Sequence, residues 1–220
     1  MNENTIEETK DIGRGGSYLI PKRIIDIVGG IVGCILLIPI TIFVKIAYLL
    51  TGDFGPIFFS QIRIGKNGKL IKIYKFRSMI MNADEVLKQM LEKDDDLARE
   101  YKRFKKFSND PRVTKVGKII RKTSIDEFPQ FINVLKGEMS LVGPRPYLPR
   151  EKEDMGEYYN TIIKCKPGVT GYWQVNGRSG TDFVQRLVLD EYYYNVRCLV
   201  MDTKILLKTI LKVFKKEGAK

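Results

Sequence analysis

The sequence predicts a mostly helical α+β protein that carries one membrane-embedded helix near its N-terminus. Residues 27–44 are uncharged and apolar, and two strand-like runs follow between residues 57 and 76. Much of the remaining chain is either highly charged and helix-favouring or places apolar residues at the 3.6-residue spacing of a surface helix. With 220 residues, the chain is long enough for one soluble domain in addition to the membrane helix.

The apolar segment at residues 27–44 is 18 residues long. As a helix it would measure about 27 Å and just cross a hydrocarbon core. Pro39 removes one helical hydrogen bond inside this segment and predicts a kink. A kinked helix can also enter and leave the membrane by the same face, provided that the freed backbone groups find partners in the protein. A single span and a re-entrant hairpin are both compatible with this pattern.

Charged residues precede the apolar segment. Lys22, Arg23 and Asp26 lie within about one helical turn of each other. Because a carboxylate at the membrane edge is normally paired, we expect Asp26 to pair with Lys22 or Arg23 and this group to anchor the foot of the helix. The pattern divides the chain into a flexible tail at residues 1–20, a membrane helix at 21–50 and a soluble domain at 51–220.

The net charge of +12 lies entirely in residues 51–220, because the first 50 residues contain five basic and five acidic side chains. Such a basic domain attracts phosphate groups, anionic lipid or nucleic acid, although the same charge can serve solubility alone. The three cysteines form no Cys-x-x-Cys pair, which disfavours a disulfide framework or a zinc site. The chain contains no histidine, so acid–base or nucleophilic chemistry must fall to carboxylates, cysteine, lysine or tyrosine.

Residues 57–64 and 70–76 predict the two strands of a β-hairpin. They flank Asn67-Gly68, and Asn-Gly between apolar runs is a strong hairpin signal. Lys75 and Arg77 lie at the exit of the second strand, which makes them candidate phosphate ligands.

Residues 83–107 are highly charged and favour helix, with three consecutive aspartates at 94–96. Successive side chains of a helix point in different directions and cannot converge on one metal ion, so we interpret the aspartates as a solvated face or a break between two helices. A short basic amphipathic segment follows at residues 113–121. From Asp126 onwards, apolar residues at helical spacing predict a further helix that ends at Gly137.

The C-terminal residues 201–216 predict a basic amphipathic helix. Lys204, Lys208 and Lys212 repeat every four residues, which is mildly unfavourable in isolation because like charges meet on one face. An anionic lipid surface would offset this repulsion. A helix that packs on the core and leaves a solvated lysine edge is the alternative.

The adjacent carboxylates Asp126 and Glu127 carry the most chemical information. Ser124-x-x-Glu127 matches a capping box, in which both side chains only stabilise a helix start. Pro129 lies too far into such a helix, so the helix can instead begin at Asp126 or Glu127. At a helix N-terminus, free N–H groups and the helix dipole favour the ionised carboxylate. An ionised carboxylate needs no general base to act as a nucleophile.

Cations near this pair make phosphorus a suitable electrophile. Arg121 precedes the pair, and Arg145 follows between two prolines, so a stiff loop presents its guanidinium for bidentate contact with phosphate. Attack of a carboxylate on a phosphate requires that charge be neutralised, most simply by Mg²⁺ together with arginine.

Residues 138–182 are rich in glycine and proline, and such a long loop-rich stretch in a compact domain is usually functional. It contains the only tryptophan, Trp173, and the basic tip Asn176-Gly177-Arg178.

These motifs, in this order, resemble the monotopic phosphoglycosyl transferases, the bacterial sugar transferase family. The resemblance includes the undecaprenyl-phosphate galactose and glucose phosphotransferases and the diacetylbacillosaminyl-1-phosphate transferases. It covers about 190 of the 220 residues. The motifs that carry it are Lys22-Arg23, Asp26, Pro39, Gly55-Pro56, Phe58-Phe59, Gln61, Arg63, Gly65, Lys75-Phe76-Arg77-Ser78-Met79, Ile125-Asp126-Glu127, Leu135-Lys136-Gly137-Glu138-Met139-Ser140, Val142-Gly143-Pro144-Arg145-Pro146, Pro167-Gly168-Val169-Thr170-Gly171, Gln174-Val175-Asn176-Gly177-Arg178 and Asp190.

The resemblance implies transfer of a sugar-1-phosphate from a UDP-sugar to polyprenyl phosphate, with Asp126 as the nucleophile and a covalent phosphosugar intermediate. It implies Mg²⁺ at Asp126 and Glu127, with Glu127 supporting the nucleophile or the metal. It also implies a set of phosphate- or substrate-binding residues: Arg145, Arg121, Lys75, Arg77, Asn176, Arg178 and Asp190.

The resemblance further implies a monotopic architecture. The membrane helix would be re-entrant and broken near Pro39, with interfacial amphipathic helices and a catalytic domain that faces the cytoplasm at the bacterial inner membrane. The implied partners are UDP-sugar, polyprenyl phosphate and membrane lipid, with downstream glycosyltransferases or a second copy of the chain as candidate protein partners.

A membrane-anchored basic module that binds anionic lipid or nucleic acid is the competing hypothesis. It explains the charge and the anchor, but it does not explain a rigid Pro-Arg-Pro segment beside paired carboxylates. No nucleic-acid-binding signature accompanies the charge, so we expect no nucleic acid among the partners.

Overall fold

The computed structural model describes residues 15–177 and 181–215. The helices are α1 Gly15–Leu50, α2 Ala83–Lys93, α3 Asp95–Phe104, α4 Lys115–Lys122, α5 Gln130–Lys136, α6 Lys152–Met155, α7 Tyr158–Ile162, α8 Tyr172–Asn176, α9 Phe183–Val196 and α10 Leu199–Lys215. The strands are β1 Phe58–Ile64, β2 Leu70–Phe76, β3 Ser140–Val142 and β4 Gly168–Thr170. A mostly helical chain with a small hairpin and one long apolar N-terminal helix is therefore confirmed.

Helix α1 begins at Gly15, six residues before the boundary predicted for the membrane helix. Residues 15–20 therefore belong to the helix and not to the tail, and residues 1–14 lie outside the described residues. The helix continues through Pro21 and Pro39 to Leu50. Its segment Ser17–Leu50 has a mean hydropathy of 2.7 and is long and apolar enough to cross a membrane. The break near Pro39 stays a prediction.

One face of α1 is buried against the rest of the protein from Tyr18 to Tyr48, a length of about 45 Å at 1.5 Å per residue. The opposite face exposes a row of large apolar side chains, which includes Ile20, Ile24, Ile31, Ile35, Ile38, Ile42 and Ile46. The apolar composition of the helix therefore serves two surfaces. One packs on protein, and the other is a large exposed apolar surface of the kind that marks a membrane contact.

Glycines allow α1 to approach α5 closely. A Cβ atom at Gly33 would lie 2.2 Å from Cγ of the Phe131 ring, and one at Gly30 would lie 2.6 Å from a methyl carbon of Leu135. Real side chains do not approach to such distances, so any residue larger than glycine at Gly33 would push the two helices apart.

Polar side chains at the foot of α1 bind three different parts of the body. The Asp26 carboxylate accepts hydrogen bonds from the Ser140 hydroxyl at 3.0 Å and from the Leu141 backbone N–H at 2.8 Å. The prediction that Asp26 pairs with Lys22 or Arg23 is wrong, because β3 satisfies its charge instead.

Lys22 donates to the Asp202 carboxylate at 2.6 Å and to the Val142 carbonyl at 2.9 Å. Arg23 donates to the carbonyls of Val134 and Leu135, in the last turn of α5, where free carbonyls favour a cation. These contacts tie the foot of the helix to the protein body, and the role of Lys22, Arg23 and Asp26 as a membrane anchor stays a prediction.

The two sheets are small and serve to position loops. β1 and β2 pair antiparallel with Phe58 opposite Phe76, and the predicted turn places Asn67 at a positive φ of 56°. β3 and β4 pair in parallel, and β3 leads directly into the Pro144-Arg145-Pro146 loop. The hairpin prediction is confirmed, whereas the parallel pair was not predicted.

The aspartate run marks a break between two helices, as one of the two interpretations predicted. Asp94 accepts hydrogen bonds from the backbone N–H groups of Asp96 and Leu97 and so caps α3. Within residues 15–177 and 181–215, no group of three or more His, Cys, Asp or Glu side chains is arranged to hold a metal ion.

Helix α10 packs on the core on one side and exposes apolar side chains on the other. Ile205 is buried in the core, whereas Leu207, Ile210 and Leu211 are exposed. Two of its lysines contact α8: Lys208 donates to the Asn176 side chain, and Lys212 donates to the Gln174 carbonyl. Contact of α10 with a lipid surface stays a prediction.

We expect Gly33→Leu to destabilise the protein by about 1–3 kcal/mol, the usual cost of overpacking a tight contact. Thermal unfolding of the full chain in detergent measures the effect. The control is Val32→Leu, which adds a methylene on the exposed face of α1 and should leave the unfolding temperature unchanged. Equal unfolding temperatures for the two variants would show that the contact with Phe131 does not constrain the helix.

Candidate active site

Asp126 and Glu127 lie on a short 3₁₀ turn, Ile125–Glu127, between α4 and α5. The capping-box prediction is wrong. Ser124 adopts a left-handed backbone with φ of 54°, and its side chain caps no helix. The helix that follows begins only at Gln130, after Pro129. The turn thus presents the two carboxylates beside a helix start instead of using them to cap it.

Two cations lie beside the carboxylate pair. Lys75, at the end of β2, donates to the Glu127 carboxylate at 2.8 Å and ties the hairpin to the turn. Arg121, in the last turn of α4, donates through Nε to the Ser78 hydroxyl at 2.8 Å. The structure therefore brings four of the predicted site residues together from three separate parts of the sequence.

Burial raises the pKa of Asp126 to about 6, and the neighbouring Glu127 charge adds to this shift. Lys75 and Arg121 act in the opposite direction. The prediction that free N–H groups keep the Asp126 carboxyl strongly ionised therefore gives the wrong cause. The increase in pKa that burial produces exceeds the decrease that such N–H groups produce. When ionised, a carboxylate of higher pKa is more basic and therefore a better nucleophile than a solvent-exposed aspartate.

Asp190 on α9 supports the Pro144-Arg145-Pro146 loop from its buried side. One Asp190 carboxylate oxygen accepts from the Arg145 backbone N–H at 3.0 Å and from the Tyr147 hydroxyl at 2.8 Å. Asp190 is fully buried. It therefore positions the loop, and the prediction that Asp190 itself binds substrate is corrected.

The Arg145 side chain lies over the Tyr147 ring, 5.4 Å from its centroid. Its Nη1 lies 3.5 Å from a carboxylate oxygen of Glu151, and this ion pair leaves the buried Nη1 without a hydrogen bond among the described residues. Binding of an anionic ligand by Arg145 stays a prediction.

Arg77 belongs to the scaffold and not to the predicted substrate site. Its guanidinium forms a bidentate pair with Asp53 at 2.8 and 3.0 Å, and its Nε donates to the Pro56 carbonyl at 2.6 Å. It also packs over the Tyr48 ring and is buried. Because these contacts use its donors, Arg77 secures the C-terminal end of α1.

The predicted basic tip is described only in part. The Asn176 side chain donates to the Tyr172 carbonyl and accepts from Lys208, so it links α8 to α10. Arg178 lies outside the described residues.

Three cations near Arg145 escaped the sequence prediction of the site. Arg63 on β1 donates to the Pro146 carbonyl at 2.9 Å. Burial lowers the pKa of Arg63 to about 10, and the charge of Arg145 adds to this effect. Burial and the charge of Arg145 also lower the pKa values of Arg186 and Lys106. In a chain this basic, composition alone could not single them out.

A small cleft adjoins the same loop. It is lined mainly by apolar side chains together with Arg145, and Asp126 is not among its lining residues. The carboxylate turn therefore lies outside this cleft.

Comparison with known proteins identifies the family. A sequence model described as bacterial sugar transferase matches residues 17–216. An undecaprenyl-phosphate galactose phosphotransferase of Salmonella typhimurium is 45% identical over 198 residues, which cover 90% of this chain and 41% of that protein. The exopolysaccharide production protein ExoY of Rhizobium meliloti is 37% identical over 198 residues, 90% of this chain and 87% of that protein.

A UDP-glucose:undecaprenyl-phosphate glucose-1-phosphate transferase of Escherichia coli is 38% identical over 228 aligned residues, which cover all of this chain and 46% of that protein. The chain thus spans less than half the length of several relatives and most of the length of the ExoY proteins. A match over nearly the whole chain shows that this protein belongs to the bacterial sugar transferase family.

Asp190→Asn should flatten the dependence of stability on pH. Burial raises the pKa of Asp190 to about 7 from 3.8, so the native state holds the proton more tightly than the unfolded chain does. Stability contributed by this proton is therefore present at low pH and is lost as pH rises from about 4 to about 7. Unfolding temperatures between pH 5 and 8 should fall less in Asp190→Asn than in the unchanged protein. If the unfolding temperatures of the two proteins change in parallel with pH, the assignment of this pH dependence to Asp190 is contradicted.

Proposed function

We propose that this chain transfers a sugar-1-phosphate from a UDP-sugar to polyprenyl phosphate, with UMP as the second product. Three relatives carry names that describe undecaprenyl-phosphate sugar transfer, and they align over 90% or more of this chain. The observation that carries the proposal is the Asp126–Glu127 turn, which lies between Lys75 and Arg121. A carboxylate nucleophile flanked by cations suits chemistry at a phosphate.

In the first step, a carboxylate oxygen of Asp126 attacks the sugar-bearing phosphorus of the UDP-sugar. The new O–P bond forms as the bond from this phosphorus to the bridging oxygen breaks, and UMP leaves with that electron pair. In the second step, a phosphate oxygen of polyprenyl phosphate attacks the same phosphorus and Asp126 leaves as carboxylate. Lys75 and Arg121 lower the charge repulsion in both steps, and Arg145 binds phosphate from its positioned loop.

Mg²⁺ fits the carboxylate pair. It is usually held by one or two carboxylates and completes its shell with water and substrate phosphate oxygens, and Asp126 and Glu127 supply such a pair. Burial and Glu127 both raise the pKa of Asp126, so the ionised pair is a site that a cation stabilises. When bound, Mg²⁺ would neutralise charge on the diphosphate.

Both ends of α1 belong on one side of the membrane in this proposal. Near its start, the Tyr18 hydroxyl donates to Asp202 at 2.9 Å, and near its end the Tyr48 hydroxyl donates to the Arg77 carbonyl. Because the same body binds both ends, a full span would draw charged body residues into the bilayer. A re-entrant or in-plane helix that buries its exposed apolar face in lipid avoids this cost.

The natural setting of this activity is the cytoplasmic face of the bacterial inner membrane, where it would supply the first lipid-linked sugar of a glycan pathway. Relatives named for exopolysaccharide production are consistent with this role. Downstream glycosyltransferases or a second copy of the chain are the proposed protein partners.

Asp126→Asn should abolish UMP release across a panel of UDP-sugars, because an amide is a poor nucleophile. UMP release by the purified full chain with polyprenyl phosphate measures this, and circular dichroism checks folding. The matched control is Asp84→Asn, an exposed aspartate on α2, which should retain activity.

Without acceptor lipid, the unchanged protein should gain the mass of a phosphosugar on Asp126. Activity in Asp126→Asn, or no adduct together with sequential kinetics, would exclude the covalent route. If the unchanged protein releases no UMP from any UDP-sugar of the panel, the result counts against the proposed function as a whole.

The topology is tested by cysteine labelling in whole cells. In a chain whose native cysteines are replaced by serine, we expect Ser17→Cys and Thr51→Cys both to resist a membrane-impermeant maleimide until the cells are permeabilised. Labelling of one position in intact cells would show a true span.

A further inference from the structure

Ser78 lies where the chain leaves β2 and meets the start of α4. Its backbone carbonyl accepts a hydrogen bond from the Thr114 N–H at 3.1 Å. Thr114 in turn caps α4, because its hydroxyl accepts from the Gly117 N–H at 2.9 Å. Met79 and Val113 form an antiparallel bridge beside this contact. The exit of β2 and the start of α4 are therefore fixed to each other by backbone contacts.

Gly117 allows α4 to lie directly on this segment. A Cβ atom at Gly117 would lie 1.9 Å from the Ser78 carbonyl oxygen and 2.7 Å from its carbonyl carbon. Because backbone atoms cannot turn aside as the end of a flexible side chain can, a larger residue would push the helix away. The position of α4 relative to Ser78 is thus set by close packing as well as by hydrogen bonds.

This packing brings Arg121, one helical turn after Gly117, to the Ser78 side chain. The Arg121 Nε donates to the Ser78 hydroxyl oxygen at 2.8 Å. Only 9% of Ser78 is exposed, so little water competes for this oxygen. The bond uses Nε alone, and within residues 15–177 and 181–215 the two terminal nitrogens of Arg121 form no hydrogen bond.

Arg121 also adjoins the carboxylate turn. Its backbone carbonyl accepts from the Ser124 N–H at 3.0 Å, immediately before the turn begins at Ile125. The charge of Arg121 reaches Asp126, where it opposes the increase in pKa that burial causes. One side of Arg121 is therefore fixed to Ser78, and its charge acts on the candidate nucleophile.

The neighbouring carboxylates do not fix the Arg121 guanidinium. Glu127 is paired with Lys75 at 2.8 Å. Asp110 also interacts with Arg121, but Arg112 binds both of its carboxylate oxygens, at 2.8 and 2.6 Å. Arg121 itself forms no ion pair in the part of the chain that the structure describes. The Ser78 hydroxyl is therefore the group that orients its guanidinium.

We propose that Ser78 is a positioning residue for Arg121 in the transfer reaction. The Ser78 hydroxyl holds the guanidinium by Nε, so that the terminal nitrogens are directed at the phosphate that Asp126 attacks. An arginine that is already oriented loses less conformational freedom when substrate binds. This inference rests on the proposed function and adds to it a residue that acts only through Arg121.

The test is a double-mutant cycle on UMP release by the purified full chain with polyprenyl phosphate. Ser78→Ala removes the acceptor and should lower kcat/KM about tenfold, because a misplaced cation stabilises the transition state less. Arg121→Met removes the charge and every donor, and should lower kcat/KM about a hundredfold. In the Arg121→Met background, Ser78→Ala should cause no further loss, because the interaction is already absent.

The matched control is Ser60→Ala, an exposed serine on β1, which should react as the unchanged protein does. A purely structural role of Ser78 predicts the same loss in both backgrounds, so equal losses overturn the inference. Full activity of Ser78→Ala also overturns it. If unfolding temperatures show that Ser78→Ala loses its fold, Ser78→Cys takes its place in the cycle, because it keeps the volume and offers only a weak sulfur acceptor.

The inference and the proposed function fail in different ways. If the unchanged chain releases no UMP from any UDP-sugar, the proposed function is overturned and the inference with it. If the unchanged chain releases UMP and Ser78→Ala and Ser78→Cys do so equally well, only the inference is overturned.

Discussion

The docking of α1 along the protein body is the constraint on which the rest of the structure depends. Asp26 binds the start of β3, and Lys22 binds the carbonyl of Val142 at its end. Because Pro144 follows two residues later, α1 and the Pro144-Arg145-Pro146 loop share one rigid connection. The glycines of α1 make this possible, since they allow α5 and its preceding carboxylate turn to approach the same helix. An acceptor that arrives through the membrane would therefore meet a site whose position relative to the lipid is set by direct contacts.

Two groups of charged residues stand out: the Asp126–Glu127 turn with its cations Lys75 and Arg121, and the basic residues near Arg145. Burial raises the pKa of Asp126 on one side and lowers that of Arg63 on the other. Lys75 offsets part of the negative charge at the turn, and Glu151 offsets part of the positive charge near Arg145. Under the proposed function, these preplaced charges would serve phosphoryl transfer. Asp190 supports the Arg145 loop, and Lys75 supports the carboxylate turn.

Local patterns were sufficient to predict several elements. The hairpin followed from Asn-Gly between apolar runs, the end of α5 from Gly137, and the long N-terminal helix from its apolar composition. Predictions failed where a residue's partner is distant in sequence. Asp26 binds β3 instead of its helical neighbours, and Arg77 binds Asp53 instead of substrate. Ser124 illustrates the same limit, because its left-handed backbone removes a capping box that the sequence matches.

The sequence alone determined the family, the long apolar helix and the identity of the candidate nucleophile, because these depend on residue types at short, ordered spacings. Only the tertiary structure decided which cations surround the site, which of them are already committed to the scaffold, and how far burial shifts the pKa of Asp126. Those properties depend on desolvation and on contacts between residues more than 40 positions apart, such as Lys75 with Glu127 and Arg145 with Asp190. Neither desolvation nor a distant contact leaves a local pattern in the chain.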